Sequence, residues 1–147
     1  ELLYESALLA EKLGRHEAME ASLRKLIRLK PEHAHAYNAL GYSFAERNQR
    51  LEEAEQLVVK ALQLSPDDPF IIDSMGWVLY RKGDNQGALT HLQRAFSIRP
   101  DPEISAHLGE VLWALGRRDE AKRIWQEAAK AHPGNEVLAE VIKRFAP

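Results

Sequence analysis

Residues 69–100 read PFIIDSMGWVLYRKGDNQGALTHLQRAFSIRP, and the landmarks of this stretch return along the rest of the chain. It consists of two apolar-periodic segments that are separated at Gly83 and closed by Pro100. Apolar residues recur at three- and four-residue spacing on both sides of the glycine, which indicates two amphipathic helices. The stretch therefore predicts one helix–turn–helix unit.

Four sets of landmarks repeat with a period of 33 to 35 residues, which predicts a repeat array. The sets are the closing prolines Pro31, Pro66, Pro100 and Pro133; the turn residues Gly14, Asn48, Gly83 and Gly116; the mid-helix pairs Leu40 with Gly41, Met75 with Gly76 and Leu108 with Gly109; and the small residues Ala54, Ala88 and Ala121, with Met19 in that place in the first unit. Glycine suits a helix C-terminus because the left-handed backbone there strains residues that carry a Cβ, and asparagine tolerates it best among them.

The predicted helices lie near residues 1–13, 16–30, 33–47, 51–64, 68–82, 85–98, 102–115, 118–131 and 135–145. Acidic caps support these starts: Asp67 or Asp68 stands before Pro69, and Asp101 stands before Pro102. The units run about 1–32, 33–67, 68–101 and 102–134, in a single array. In the last helix, 135–145, Val137 shares an apolar face with Leu138, Val141, Ile142 and Phe145, as a terminal cap requires.

Composition excludes several classes of protein. The chain has 147 residues, 45% of them hydrophobic, with 20 Lys and Arg against 22 Asp and Glu. A net charge of −2 argues against nucleic-acid binding, which normally needs a basic excess. No apolar run approaches the roughly 18 residues of a membrane span. The absence of cysteine excludes disulfides and thiolate metal sites.

The chain resembles the tetratricopeptide repeat (TPR) family over nearly its whole length. In the third unit the signature places of the family are held by Gly76, Leu79, Gly83, Ala88, Leu92, Ala95 and Pro100. The resemblance implies an all-α, right-handed superhelical solenoid of about four units plus a capping helix. The second unit has one extra residue near Gln49 and the fourth is one residue short near Asp101, while Met19 replaces a small residue.

Two stretches, DSMGWVLYRKGD (73–84) and ISAHLGEVLWALGRRDEAKRIWQEA (104–128), resemble the C-terminal repeats of proteobacterial TPR lipoproteins. Members of that group are tethered to the outer membrane, and some are adaptors for periplasmic C-terminal-processing proteases. The resemblance implies a periplasmic location, with the lipidated cysteine in an upstream segment that this chain lacks, and such a protease or its substrates as partners. A cytoplasmic location is the alternative.

The family pattern also implies which residues line the concave face of the array, because the first helix of each unit lies there. These residues are Asn38, Tyr42, Asp73, Trp77, Tyr80, Arg81, His107, Glu110 and Trp113. Large aromatic side chains supply contact area for an extended peptide, and polar groups orient its backbone. Trp77, Tyr80 and Trp113 have the alternative of filling seams between helices, as we expect of Trp125, and Tyr37 is expected in the core.

Repeats that bind a C-terminal carboxylate place Lys and Asn on successive first helices. Here the corresponding positions hold Asp73, Trp77, Ala106 and Glu110, and acidic groups repel a carboxylate. The partner we expect is therefore an extended segment with apolar side chains and a basic residue.

No catalytic motif stands out in the sequence. His33 and His35 are two residues apart, so they point to different sides of a helix and make poor metal partners. We therefore expect a non-enzymatic binding scaffold with no cofactor and no metal. The alternative is a structural continuation of a longer TPR superhelix, with partners on the convex face or on other repeats. The first helix lacks a cap and exposes leucines, which predicts packing on an upstream repeat or self-association.

Overall fold

A computed structural model of the chain describes residues 2–147. These residues form helices without strands: α1 Leu2–Lys12, α2 His16–Leu29, α3 Ala34–Glu46, α4 Leu51–Leu64, α5 Pro69–Arg81, α6 Asn85–Ile98, α7 Pro102–Ala114, α8 Arg118–Ala131 and α9 Glu136–Phe145. Each predicted helix is present, and its described ends differ from the prediction by no more than one residue.

The repeating turn residues have the backbone conformation that their identity predicts. Gly14, Gly83 and Gly116 have φ of +73°, +95° and +84°, and Asn48 has φ of +55°. These values lie in the left-handed region, where glycine has no Cβ penalty and asparagine is the best substitute. The four repeating turn residues therefore mark four turns between helices that share one type of backbone conformation.

The predicted acidic caps are also observed. The Asp68 carboxylate accepts hydrogen bonds from the backbone N–H groups of Phe70 and Ile71, at 2.9 and 3.3 Å. The Asp101 carboxylate accepts from the N–H of Glu103 at 2.9 Å. Each cap satisfies N–H groups that have no partner inside the helix, so these carboxylates fix where α5 and α7 begin.

The fold divides into two compact units, of which the first ends at Asp67 and the second is Asp68–Pro147. In unit 1, α1 pairs with α2, α3 pairs with α4, and α2 packs on α3. Its interior is mainly aliphatic and includes Leu23, Leu26 and Val58, together with Phe44. The expectation that Tyr37 is a core residue was wrong: it is only partly buried, and its hydroxyl donates to the carbonyl of Pro31 at 2.8 Å.

In unit 2, α5 pairs with α6, α7 pairs with α8, and α9 packs on both α7 and α8. Trp125 of α8 is buried, as predicted for a seam residue, and its indole N–H donates to the carbonyl of Ala106 at 3.3 Å. The indole lies directly over Gly109 of α7, where a Cβ would come within 2.0 Å of Nε1. Gly109 is therefore required for the close contact between α7 and α8.

The capping helix α9 differs from the prediction at one residue. Leu138 and Val141 are buried against unit 2, whereas Val137 is 44% exposed. Adjacent positions on a helix are about 100° apart, so a helix seated on Leu138 and Val141 leaves Val137 at the edge of the contact. The longest helices among residues 2–147 have 14 residues, and none is long and apolar enough to cross a membrane.

Candidate protein-binding face

The nine residues predicted to line the concave face lie on three helices. Four are on α5 and three on α7, both in unit 2, and two are on α3 in unit 1. On α5, Phe70, Asp73, Trp77 and Arg81 follow one another at three- and four-residue spacing, so they form one stripe. Six of the seven residues of α5 and α7 form a connected polar and aromatic layer, which we call the α5–α7 layer. These six are Asp73, Trp77, Tyr80 and Arg81 of α5 and His107 and Glu110 of α7.

The centre of the α5–α7 layer is a contact between Asp73 and His107. The Nδ1 atom of His107 lies 2.9 Å and 3.1 Å from the two carboxylate oxygens of Asp73. The Trp77 ring stacks on the imidazole with centroids 4.1 Å apart. Because all three side chains are at least nine-tenths buried, their mutual contacts replace those with water.

A second polar contact joins α5, α7 and the capping helix. The Tyr80 hydroxyl donates to one carboxylate oxygen of Glu110 at 3.1 Å, and Nη2 of Arg144 donates to the other at 3.0 Å. Burial raises the pKa of Tyr80 to about 12, and the negative charge of Glu110 adds to the effect. The buried Glu110 thus has both carboxylate oxygens paired, and Arg144 links α9 to the layer.

The exposed side of the α5–α7 layer is formed by side chains that cover Trp77. Trp77 itself is only 3% exposed. The Arg81 guanidinium lies 5.0 Å from its ring centroid, and the Tyr80 ring lies at the same centroid distance. Tyr80 and Arg81 are both partly exposed. A partner reaching this face therefore meets Arg81 and Tyr80 first, while Trp77 supports them from below.

Trp113, in contrast, is placed in a seam. Its ring stacks on Trp125 and lies against Phe145, with centroids 5.9 and 5.8 Å away. The Arg118 guanidinium lies 4.8 Å from its centroid. Part of Trp113 still lines a pocket of about 400 Å³ together with Lys122 of α8. Trp113 was expected either to line the concave face or to fill a seam between helices. Its contacts are those of a seam residue, with one edge of the ring open to the pocket.

The two predicted residues of unit 1 both lie on α3. The Tyr42 hydroxyl donates to the Glu46 carboxylate at 3.3 Å on the same helix. The side-chain oxygen of Asn38 is buried without a hydrogen-bond partner in the described part of the chain. In the array these residues precede Asp73 and Trp77 by one unit, so they mark the corresponding place on α3.

Two residues of the layer were not predicted from the sequence. Arg144 of α9 contacts Glu110, and Glu103 of α7 lies near Asp73 and His107, with one ligand atom from each of these three within 4.8 Å of the others. A signal for each exists in the sequence. Arg144 follows Glu110 by one repeat length, and Glu103 precedes His107 by one helical turn.

Comparison with known sequences identifies the repeats. Family models described as tetratricopeptide repeat match residues 4–69 and residues 79–143. A TPR repeat-containing protein of Pseudomonas aeruginosa is 49% identical over 109 residues, which are 74% of this chain and 18% of that protein. The chain thus spans less than a fifth of the length of this relative.

Solved structures resemble the chain at lower identity. A thermophilic TPR protein of Thermus thermophilus has a TM-score of 0.84 and 24% identity, over 98% of this chain and 78% of that one. An O-GlcNAc transferase of Thermobaculum terrenum has a TM-score of 0.80 and 23% identity, over 89% of this chain and 26% of that one. These likenesses show the fold alone, and the predicted all-α repeat fold is confirmed.

Proposed function

This chain belongs to the tetratricopeptide repeat family, and we propose that it is the protein-binding part of a longer bacterial envelope adaptor. In this proposal an extended segment of a partner protein lies along the α5–α7 layer of unit 2. The observation that carries the proposal is the layer itself, in which a buried floor of Asp73, Trp77 and His107 supports the partly exposed Tyr80 and Arg81.

Tetratricopeptide repeats imply protein partners, and the fold is typically a non-catalytic scaffold. The accessible chemistry of the α5–α7 layer fits a peptide. Phe70 offers a ring that is 38% exposed, Arg81 a cation and Glu103 an exposed carboxylate. Such a surface accepts an apolar side chain and pairs with charges of both signs along an extended backbone. The acidic groups Asp73 and Glu110 are buried, so they hold the layer together and leave recognition to these outer residues.

The envelope location and the protease partner are the finer part of the proposal. They rest on the resemblance of residues 73–84 and 104–128 to outer-membrane TPR lipoproteins, and the 49% identity to a Pseudomonas protein supports a bacterial origin. In the whole protein, an upstream lipidated segment tethers the repeats to the outer membrane. The periplasmic C-terminal-processing protease, or one of its substrates, then occupies the α5–α7 layer.

The binding proposal is tested by affinity capture from an envelope extract, with the captured proteins identified by mass spectrometry. The test variant is Arg81→Glu, and the matched control is Arg94→Glu, which makes the same charge change at an exposed position of α6. We expect the wild type and Arg94→Glu to capture a processing protease or its substrate, and Arg81→Glu to lose it. Circular dichroism establishes that all three chains are equally helical.

Equal capture by Arg81→Glu and the wild type would contradict binding on this layer. Capture lost only in Arg94→Glu would favour the alternative, in which partners dock on the second helices. The location is tested separately on the full-length protein, by membrane fractionation and labelling with a fatty-acid analogue. Label in the outer-membrane fraction is expected, and an unlabelled cytoplasmic protein would contradict the envelope part alone.

A second candidate role is favoured by exposed leucines in α1 and directly after it. Leu2, Leu9 and Leu13 are 85%, 58% and 59% exposed. We propose that another part of a longer array, or a second copy, covers them. Light scattering on the isolated chain distinguishes these cases, because self-association predicts a dimer that Leu9→Gln with Leu13→Gln disrupts. A strict monomer at high concentration would contradict self-association.

A further inference from the structure

The α5–α7 layer contains three side chains with the chemistry of a metal site. His107 and Glu103 are four residues apart on α7, so they share one face of that helix, and Asp73 approaches from α5. One ligand atom from each residue lies within 4.8 Å of the others. We propose that Asp73, Glu103 and His107 bind a divalent transition-metal ion of the first row, such as Zn²⁺.

The distances are close to those that such an ion needs. Zinc binds nitrogen and oxygen ligands at about 2.0–2.2 Å in a tetrahedral arrangement, which places ligand atoms about 3.4 Å apart. The Nδ1 atom of His107 is already 2.9 Å from Asp73 Oδ1, so this pair opens by a few tenths of an ångström when the ion takes the place of the shared proton. The ligand atom of Glu103 lies within 4.8 Å of the other two, and because Glu103 is exposed, its approach displaces no buried group.

Packing holds two of the ligands in place before any ion arrives. Asp73 and His107 are 3% and 7% exposed, and the Trp77 ring stacks on the imidazole. Two ligands fixed on adjacent helices lower the entropy lost on binding. Three protein ligands leave a fourth position open, as in sites where zinc also contacts water or another molecule.

The donor set predicts selectivity. One imidazole with two carboxylates suits zinc, copper, nickel or cobalt ions, and the order of affinity places Cu²⁺ above Zn²⁺. Mg²⁺ and Ca²⁺ prefer six or more oxygen ligands and are expected to bind much more weakly. Titration calorimetry on the tag-free chain with Zn²⁺, Cu²⁺ and Mg²⁺ measures this order directly.

Two variants test which residues hold the ion. Glu103→Gln changes an exposed side chain and is expected to leave the fold intact, and His107→Gln removes the imidazole. Each is expected to weaken Zn²⁺ binding by about tenfold or more, whereas the control His132→Gln, at an exposed histidine outside the cluster, leaves it unchanged. Zn²⁺ should also raise the thermal midpoint of the wild type but not of Glu103→Gln, because an ion that binds only the native state stabilises it.

Trp77 supplies an independent optical readout. A paramagnetic ion at His107 lies beside the stacked indole, so Cu²⁺ should quench the part of the fluorescence that Trp77→Phe removes. Absence of binding by calorimetry, or equal binding by the wild type and both cluster variants, would overturn the proposal. The Asp73–His107 contact would then be a structural ion pair alone. Loss of binding only in His132→Gln would assign the ion to the surface and would overturn it as well.

Discussion

Units 1 and 2 repeat the same pair of helices, but polar side chains play different parts in them. In unit 1 the ion pairs of Arg24 lie near the surface: Arg24 donates to Glu53 at 2.7 Å and to Glu20 at 2.9 Å, with side chains that are 23% to 37% exposed. In unit 2 the contacts of Asp73, His107 and Glu110 are buried among aromatic rings. The ion pairs of Arg24 thus involve the second helices α2 and α4, whereas the buried contacts of unit 2 involve the first helices α5 and α7.

The burial of a polar contact determines how much its loss changes the free energy of unfolding. Exposed ion pairs contribute about 0–1 kcal/mol, because water and salt screen them. A buried polar group that loses its partner costs about 1–3 kcal/mol. We therefore expect unit 2 to be sensitive to single polar substitutions and unit 1 to be insensitive. A unit that keeps a buried polar layer at such a cost is the better candidate for a specific function.

The largest predicted effect concerns the close helix contacts. Gly109→Ala should destabilise unit 2 by about 3 kcal/mol, because the new Cβ would meet the rigid, buried indole of Trp125 at 2.0 Å. Gly41→Ala in unit 1 should cost about 1–2 kcal/mol, since its new Cβ would meet a Val58 methyl group at 2.7 Å and the carbonyl oxygen of Ala54 at 2.9 Å, both farther away than the indole is from Gly109. Urea unfolding followed by circular dichroism measures both, and equal losses would contradict the comparison.

The next effect compares a buried carboxylate with an exposed one. Glu110→Gln should lower the free energy of unfolding by about 1–3 kcal/mol, because it removes the charge that Arg144 and Tyr80 contact. Glu53→Gln in unit 1 should cost less than about 1 kcal/mol. Chemical denaturation of the two variants is the measurement. If Glu53→Gln lowered the free energy of unfolding as much as Glu110→Gln does, burial would not determine how much a carboxylate contributes to stability.

A third effect appears at alkaline pH. The pKa of Tyr80 is about 12 in the folded chain against 10.0 for an ordinary tyrosine, so the unfolded chain releases this proton first. The contribution of Tyr80 is fully present below pH 10 and is lost as the pH rises from about 10 to 12. Stability measured across this window should fall less in Tyr80→Phe than in the wild type. Identical slopes would contradict the burial of this hydroxyl.

The smallest predicted effect belongs to unit 1 and appears in acid. Burial disfavours the charged form of Glu20, but hydrogen bonds from Arg24 and Arg50 outweigh it and lower its pKa. Its contribution is present above the ordinary pKa of 4.5 and is lost as the pH falls through the lowered value. In Glu20→Gln the free energy of unfolding should therefore fall slightly less in acid than in the wild type. A large difference would contradict the small contribution expected of a surface ion pair that water and salt screen.

The two units also show what sequence reasoning can and cannot reach. The turn at Asn48 and the cap at Asp101 were predictable, since each rests on the backbone preference of one residue type in a repeating place. The contact between Glu110 and Arg144 was not predicted: the spacing of one repeat length places the two residues at equivalent positions of α7 and α9, but it does not show that their side chains meet. The burial of Trp77 is of the same kind, since spacing assigns a stripe on the helix but not what covers it.

The most direct measurement is site-specific photocrosslinking in the full-length protein, with a benzophenone amino acid placed at Arg81 on α5 or at Gln93 on the exposed side of α6. If a partner is held along the α5–α7 layer, the probe at position 81 forms a discrete crosslink to it and the probe at position 93 does not. Crosslinks from position 93 alone, or from neither position while the partner is still captured, would contradict the account.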